Sequence, residues 1–413
     1  MNFIKTPTKG MRDILPNEME IREYVISLIC ETYSKFGFKR IETPCVEHIE
    51  NLTNKQGGDN EKLIFKILKR GEKLKFEDAT NVDELVDSGL RYDLTVPLAR
   101  YYANNMNELD KPFKALQIGS VWRADRPQKG RFRQFIQCDI DILGEKTNLA
   151  EIELILATTT LLKKVGLENF KVKINDRRIL KTIAMSSGFN ESDCESIFIS
   201  LDKIDKIGVD GVRQELIDNG YNEDVVDKYL SLFNNETNSA TSFYDKIASN
   251  ELDYNIPNEL DKVVSIVKEV NDINIVFDPT LVRGMSYYTG LIFEIEALDY
   301  SGSIAGGGRY DEMIEKYSNV SVPACGFSIG FERLINILIE SGYQIPSNQK
   351  KCAFIIDKNI ETNELKKYIA KATKLRNDGY IVNIQYKSKN FKFQKETLEV
   401  QNYEIILNDE KIN

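Results

Sequence analysis

Between Pro112 and Gly144 the chain reads PFKALQIGSVWRADRPQKGRFRQFIQCDIDILG, two strand-like runs around a basic loop. Side chains along a strand point alternately to opposite faces. In the second run Phe132, Ile136, Cys138, Ile140 and Ile142 take one face, and Arg131, Arg133, Gln137, Asp139 and Asp141 the other; Gln134 and Phe135 break the alternation once. The polar face is not a bland mixture of Thr, Ser and Lys. It carries two guanidinium forks, which bind anions, followed by an amide and two carboxylates, which accept from a cationic group. Gln137 and Asp141 are four residues apart, roughly 13 Å at strand rise, so a small zwitterion fits between them. A solvated face with cross-strand ion pairs has the same composition, and the pattern alone leaves both readings open.

Further chemistry-bearing residues lie along the chain. GLRYDLTVPLARYYANN places Asp93 and Thr95 at the end of a short strand, ahead of a helix starting near Val96 and Pro97, where proline suits a first turn. DPTLVRGMSYYTG puts Arg283 at a strand entrance beside Tyr287 and Tyr288. Three glycines, 306–308, precede Arg309, Tyr310 and Asp311. Either a ligand approaches the backbone closely there or the strand makes a tight crossover. They do not fit the Walker pattern, which needs Gly-Lys-Ser/Thr at fixed spacing. CGFSIGFERL reads as a strand, Gly330, and a helix with Arg333 in its first turn. The macrodipole opposes a cation at that end. An anion such as a phosphate seated between the two resolves the conflict; so does a sideways ion pair with a carboxylate. The one histidine, His48, reads as a surface or interface residue, which sets aside acid–base chemistry by a protein imidazole.

The elements that position these residues come from a chain of 413 residues, long enough for two or three domains. Hydrophobic content of 42% and charged content of 29% describe a soluble globular protein. Six cysteines are spread without a C-x-x-C pair, which implies reduced thiols in a cytosol and no zinc. No apolar run reaches the length of a membrane span, and the start, MNFIKTPTKGMRD, lacks the apolar core of a signal peptide, so a cytoplasmic protein is expected. A net charge of −9 argues against indiscriminate nucleic-acid binding while allowing local basic patches. Periodicity predicts a helix over 17–36, with Asn17 as its cap, Glu20 completing a capping box and Gly37 ending it. A strand at 38–43, a charged hairpin-like stretch at 51–87, a helix at 148–165 and a strand at 170–174 follow. Short amphipathic helices fill 177–270, and strand character returns at 273–277. After a linker at 342–349, alternating strands and helices form a small α/β module. Residues 351–413 carry 12 Lys and Arg against 9 Asp and Glu, which fits an RNA-contacting surface and equally fits solvated lysines.

Five motifs carry a family resemblance, in order and over nearly the full chain. GMRDILP with the helix leading to Pro44 resembles motif 1 of the class II aminoacyl-tRNA synthetases, VWRADRPQKGRFRQFIQCDIDILG resembles motif 2, and GFSIGFERL resembles motif 3. LVRGMSYYTG and AGGGRYD resemble the two signatures peculiar to the histidyl-tRNA synthetases. The resemblance implies an α+β fold: an antiparallel catalytic sheet flanked by helices (1–176 and 271–341), a helical insertion domain (177–270) and a shortened α/β anticodon-binding-like domain (350–413). It also implies a homodimer through motif 1, and ATP used with Mg2+. The expected reaction joins histidine to ATP as histidyl-adenylate, then transfers the acyl group to the 3′ end of tRNA(His).

By the same resemblance, Arg123 and Arg283 are catalytic residues at the α-phosphate, Arg283 also meeting the substrate carboxylate. Arg333 holds the far end of ATP and Arg131 belongs to the same site. Asp93, Thr95 and Gln137 hold the α-amino group, and Asp141 and Tyr288 read the imidazole with Tyr287 alongside. Arg126 and Gln128 meet the tRNA acceptor end. Asp93 stands where many bacterial members carry Glu, and Ser286 where Asp is common. The chain ends at Asn413 soon after its last strand, so anticodon contact that is weakened or borne differently is expected. The alternative is a non-catalytic, histidine-sensing paralog, the regulatory subunit of ATP phosphoribosyltransferase.

Overall fold

Pro16 opens the first helix. Its fixed φ suits a first-turn position and its missing N–H costs nothing there, so α1 runs Pro16–Lys35 with Leu15 as N-cap and no side-chain cap. The capping role expected of Asn17 is thereby corrected, because Asn17 already lies inside the helix. Val25, Ile29 and Tyr33 are buried along one stripe, and Gly37, at φ +83°, ends the helix in a conformation that favours glycine. The structure is a computed structural model and describes residues 3–53, 60–126, 131–233, 239–247, 252–283, 287–300, 302–346 and 350–407.

The chain then lays down β1 (Lys39–Ile41), β2 (Val46–His48), α2 (Ile49–Thr53), β3 (Lys66–Leu68), β4 (Val86–Leu90) and α3 (Thr95–Asn105). The long pair β5 (Phe113–Trp122) and β6 (Gln134–Leu143) follows, then α4 (Leu149–Lys164) and β7 (Phe170–Asp176). A helical run comes next: α5 (Arg177–Ser187), α6 (Cys194–Leu201), α7 (Ile204–Asp218), α8 (Glu223–Ser231), α9 (Ala240–Tyr244) and α10 (Asn255–Asn271). The chain returns to strands with β8 (Ile275–Phe277), β9 (Leu291–Ala297) and β10 (Ser303–Arg309), then α11 (Glu315–Ser318), β11 (Ala324–Ile329) and α12 (Phe331–Glu340). Contacts divide the chain into two compact units, 1–343 and 344–413.

Eight strands make the main sheet of the first unit, in the order β1-β5-β6-β11-β10-β9-β7-β8. Neighbours from β5 through β7 are antiparallel, and the edge strands β1 and β8 run parallel to theirs. The alternation read along 136–142 has its physical consequence here. Cys138, Ile140 and Ile142 bury against Val25, Ile29 and Tyr33 of α1 and Leu154 of α4, so Gln137, Asp139 and Asp141 are presented on the opposite face. Helices of 177–271 share that apolar core through Ile183, Leu201, Tyr229 and Phe243. The charged stretch folds as a small antiparallel sheet, β2-β4-β3, with His48 exposed on β2; Gly57 and Gly58 lie outside the described residues. Gly306, Gly307 and Gly308 stand in mid-sheet, paired with β11 on one side and β9 on the other. The crossover reading of the glycines is thereby excluded.

The second unit holds β12 (Lys351–Ile356), α13 (Thr362–Asn377), β13 (Ile381–Tyr386), α14 (Phe391–Val400) and β14 (Tyr403–Leu407). Its sheet, β13-β12-β14, is wholly parallel. Phe354 and Ile356 pack on Tyr368 and Ala372 of α13, whereas Ala353 and Ile355 pack on Leu398 of α14. Alternate residues of β12 thus serve helices on opposite faces, as parallel sheets require.

Candidate active site

A cavity of about 620 Å³ opens over the polar face of the main sheet. Asp93, Thr95, Arg123, Arg131, Gln137, Asp141, Arg283, Tyr287, Tyr288 and Arg333 all line it, although the sequence scatters them over 241 positions. Arg126 is exposed and does not line the cavity, and Gln128 and Ser286 lie outside the described residues.

One wall is made of acceptors. Asp141 on β6 receives the Tyr310 hydroxyl at Oδ1, 2.6 Å, while its Oδ2 is buried with no hydrogen-bond partner among the described residues. Its cross-strand neighbour is Gly326, where a Cβ would lie 2.1 Å from Asp141 Oδ1; the missing side chain makes room for the carboxylate. Two residues back, Asp139 receives Ser328 Oγ, and the same hydroxyl receives Gln137 Nε2 at 3.3 Å. Gln137 Oε1 is buried and unpartnered among the described residues. Asp93 accepts from the Val96 backbone N–H at 3.0 Å, which ties its carboxylate to the first turn of α3. A buried acceptor left without a donor carries a desolvation cost, so this wall is built to meet N–H donors from a ligand.

Its electrostatics agree. Burial pushes Asp141 up to about 7, against the pull of the Tyr310 hydrogen bond, with the charge of Asp93 adding to the rise. Burial and the charge of Asp141 hold Asp139 well above the usual carboxylate range, and burial raises Asp93 as well. Each shift has the sign expected where like charges converge away from water. Burial likewise raises Tyr287 and lifts Tyr288 to about 12, which keeps both hydroxyls protonated as donors. Their ring centroids are 4.4 Å apart, and Tyr287 meets Tyr310 at 6.2 Å.

The other wall is cationic. Arg123, at the end of β5, donates Nε to the Tyr92 carbonyl at 2.9 Å and packs over the rings of Tyr92 and Phe135. Arg283 pairs with Glu294 through Nε and donates Nη2 to Ser303 Oγ at 2.8 Å. Arg333, in the first turn of α12, is exposed and donates Nη1 to the Ser303 carbonyl. No ion pair of Arg333 with a carboxylate is found among the described residues, so the sideways pairing considered above does not explain its position. Gly302, at φ +91°, makes room for it, since a Cβ there would stand 2.9 Å from Nη1. The cavity therefore offers donors for an extended anion at one end and acceptors for ammonium or N–H groups at the other.

Sequence reading missed several of its residues. Asp139 lay on the right face but without a role. Ser328 and Gly326 share a face of β11, and that two-residue period was the available signal. Tyr310 follows the glycines directly, yet nothing local shows that its hydroxyl reaches across the site to Asp141. Ser303 and Glu294, which meet Arg283, have no sequence signal because strand pairing brings them there.

Comparison with known proteins accords with this geometry. The histidyl-tRNA synthetase family profile matches residues 10–334. A histidine–tRNA ligase of Leifsonia xyli subsp. xyli is 44% identical over 353 residues, covering 81% of this chain and 80% of that protein. One of Cytophaga hutchinsonii is 36% identical over 385 residues, covering 90% and 84%. Among solved structures, histidyl-tRNA synthetase from Nostoc sp. PCC 7120 superposes with a TM-score of 0.80 at 26% identity, covering 99% of this chain and 93% of that one. A Bacillus halodurans structure described as an ATP phosphoribosyltransferase regulatory subunit/histidyl-tRNA synthetase shares the fold, with a TM-score of 0.78 at 23% identity and 98% and 99% coverage. A family profile spanning most of the chain, together with relatives this similar over this length, means that the chain belongs to the histidyl-tRNA synthetase family.

Proposed function

We propose that the protein is a histidine–tRNA ligase that activates histidine with ATP and transfers it to the 3′ end of tRNA(His). The observation that carries this reading is the pairing, in one cavity, of unpartnered acceptors at Gln137 Oε1 and Asp141 Oδ2 with four arginines. Histidine supplies an ammonium group and a ring N–H to the first wall, and the triphosphate supplies negative charge to the second.

In the first step a histidine carboxylate oxygen attacks the α-phosphorus of ATP. A P–O bond forms to the carboxylate, the bond to the β-phosphate oxygen breaks, and pyrophosphate leaves with the electron pair. The nucleophile is already ionised, so no general base is required, and catalysis consists of positioning and charge stabilisation. Arg123 and Arg283 take the α-phosphate, while Arg131 and Arg333 hold the rest of the nucleotide. Asp93, Thr95 and Gln137 hold the ammonium group, and Asp141, Tyr287 and Tyr288 take the imidazole. Apolar amino acids are rejected because they would leave the acceptors of this wall unpaired. In the second step a ribose hydroxyl of the tRNA end forms a C–O bond to the acyl carbon and loses its proton, while the anhydride C–O bond breaks and AMP departs with the electron pair, with Arg126 and Gln128 on the tRNA side. Among the described residues no three His, Cys, Asp or Glu side chains group as a resident metal site would need. Magnesium would enter with the nucleotide substrate and would supply charge neutralisation at its phosphates beside Arg123 and Arg333. Residues 350–413 are assigned to tRNA contact, and a homodimer through α1 and the segment before it is part of the reading. No helix among the described residues is long and apolar enough to cross a membrane, in keeping with a cytoplasmic enzyme.

The test is histidine-dependent ATP–pyrophosphate exchange, run beside Arg283→Ala. Exchange specific to histidine is expected, with the variant reduced about 100-fold or more, the scale of losing one preorganised donor to a developing charge. Histidine binding without exchange by the unaltered protein would reject the ligase reading in favour of a histidine sensor.

A further inference from the structure

Arg283 reaches the cavity from a segment without regular structure, so something other than its own backbone must aim it. Two of its three nitrogens are engaged, Nε by Glu294 and Nη2 by Ser303 Oγ. Glu294 sits on β9 opposite Gly306 of β10. A Cβ at Gly306 would lie 2.2 Å from the guanidinium carbon and 2.3 Å from Nη1. The guanidinium therefore lies flat on bare backbone, gripped along one edge by a carboxylate and a hydroxyl. Of the neighbouring acids, Glu296 and Asp278 pair with Lys173, whereas Asp202, raised mainly by burial, lies within electrostatic reach of both Lys206 and Arg283.

The geometry points to Glu294 as a positioning residue for adenylate formation, acting with Gly306 as the seat that aims the Nη1 corner of Arg283 at the α-phosphate. Glu294 is not among the residues that line the cavity. Its contribution is angular: a carboxylate bound to Nε fixes the plane of the fork, Ser303 fixes its rotation, and the remaining corner is left for the reacting phosphate. This rests on the ligase reading above and names the residue that sets the aim of its central arginine. The Arg283–Glu294 pair is 30% and 21% exposed at its two side chains. Solvent screens a part-buried pair of this kind in part, and glutamine keeps the shape and an acceptor, so Glu294→Gln is expected to act more on chemistry than on the fold.

The experiment is the same exchange assay with Glu294→Gln, Glu294→Asp and Gly306→Ala, each with its thermal midpoint and its KM for histidine. Misplacing a reacting group by about 1 Å costs on the order of 100-fold in rate. Glu294→Gln is therefore expected to lose about 10- to 100-fold in kcat with a smaller change in KM for histidine, and with a thermal midpoint like that of the unaltered protein. Glu294→Asp keeps the charge and should recover part of the loss. Gly306→Ala should reproduce the defect without touching any charge. Unchanged kcat in Glu294→Gln overturns the inference, as does a fall in kcat that tracks a fall in thermal midpoint across all three variants. Absence of histidine-dependent exchange in the unaltered protein is the separate outcome that removes the ligase reading, and this inference with it.

Discussion

Asp141 illustrates what it means for one side chain to be tuned for a ligand. Its Oδ1 is satisfied by Tyr310 and its Oδ2 by nothing among the described residues, and burial raises its pKa to about 7 from an ordinary value of 3.8. A carboxyl raised in the folded state is protonated there over a pH range in which the unfolded chain has already released its proton. Its contribution to stability is therefore complete below about pH 4 and is lost as pH rises through about 7. Asp141→Asn removes that dependence. We expect the ligand-free variant and the unaltered protein to have similar thermal midpoints near pH 4, and the variant to gain relative stability up to pH 7, by thermal melts across that range. Histidine should reverse the order at pH 7 by giving Oδ2 an N–H donor from which the asparagine NH2 cannot accept. At this scale sequence reading does well where chemistry is local. Gln137, Asp139 and Asp141 share a face because a strand alternates, and that is visible in a string of letters. Tyr310 is not, because its hydroxyl meets a carboxylate 169 positions away.

At the scale of elements, the N-terminal stretch and α12 are joined beside the cavity by a buried charge network. Arg22 donates to both oxygens of Glu332, at 2.8 and 2.7 Å, and Arg12 bridges Glu18 and Glu332. Glu332 also accepts the Ile136 backbone N–H at 3.3 Å, next to Gln137. α1, β6 and α12 thus share one carboxylate. Arg22 is 4% exposed. Removing one partner of such a pair strands the other charge and costs about 3–5 kcal/mol. Glu332→Ala should accordingly lower the denaturation free energy by about that amount in urea titrations, whereas a change within about 0.5 kcal/mol would show that water replaces the carboxylate. The network was illegible in the sequence for a plain reason: Arg22 and Glu332 sit 310 positions apart on helices whose own periodicity is fully explained by their apolar stripes. The elements themselves were largely legible, since α1, α4, β6 and β7 announce themselves by period. Their ends were less so, as with the helix start that Pro16 takes from Asn17.

At the scale of the whole molecule, every described residue that lines the cavity belongs to the unit spanning 1–343. The two proposed steps therefore fall differently on the chain. A protein ending at Tyr343 is expected to retain histidine-dependent pyrophosphate exchange within a fewfold and to lose most tRNA acylation, compared by the two assays on one preparation. Equal loss of both would show that the second unit is needed for the first to fold. Which strands would assemble into one sheet was beyond the letters, because β10 and β11 reach β6 across the chain through pairings that no local pattern encodes. One compositional fact gains a use at this scale. The chain holds a single imidazole, on His48, exposed on the small sheet. In a magnetic resonance spectrum the protein is nearly silent where imidazoles resonate. Ring-labelled histidine bound opposite Asp141 would thus report its own tautomer and charge, in a protein of 413 residues, against a background of one.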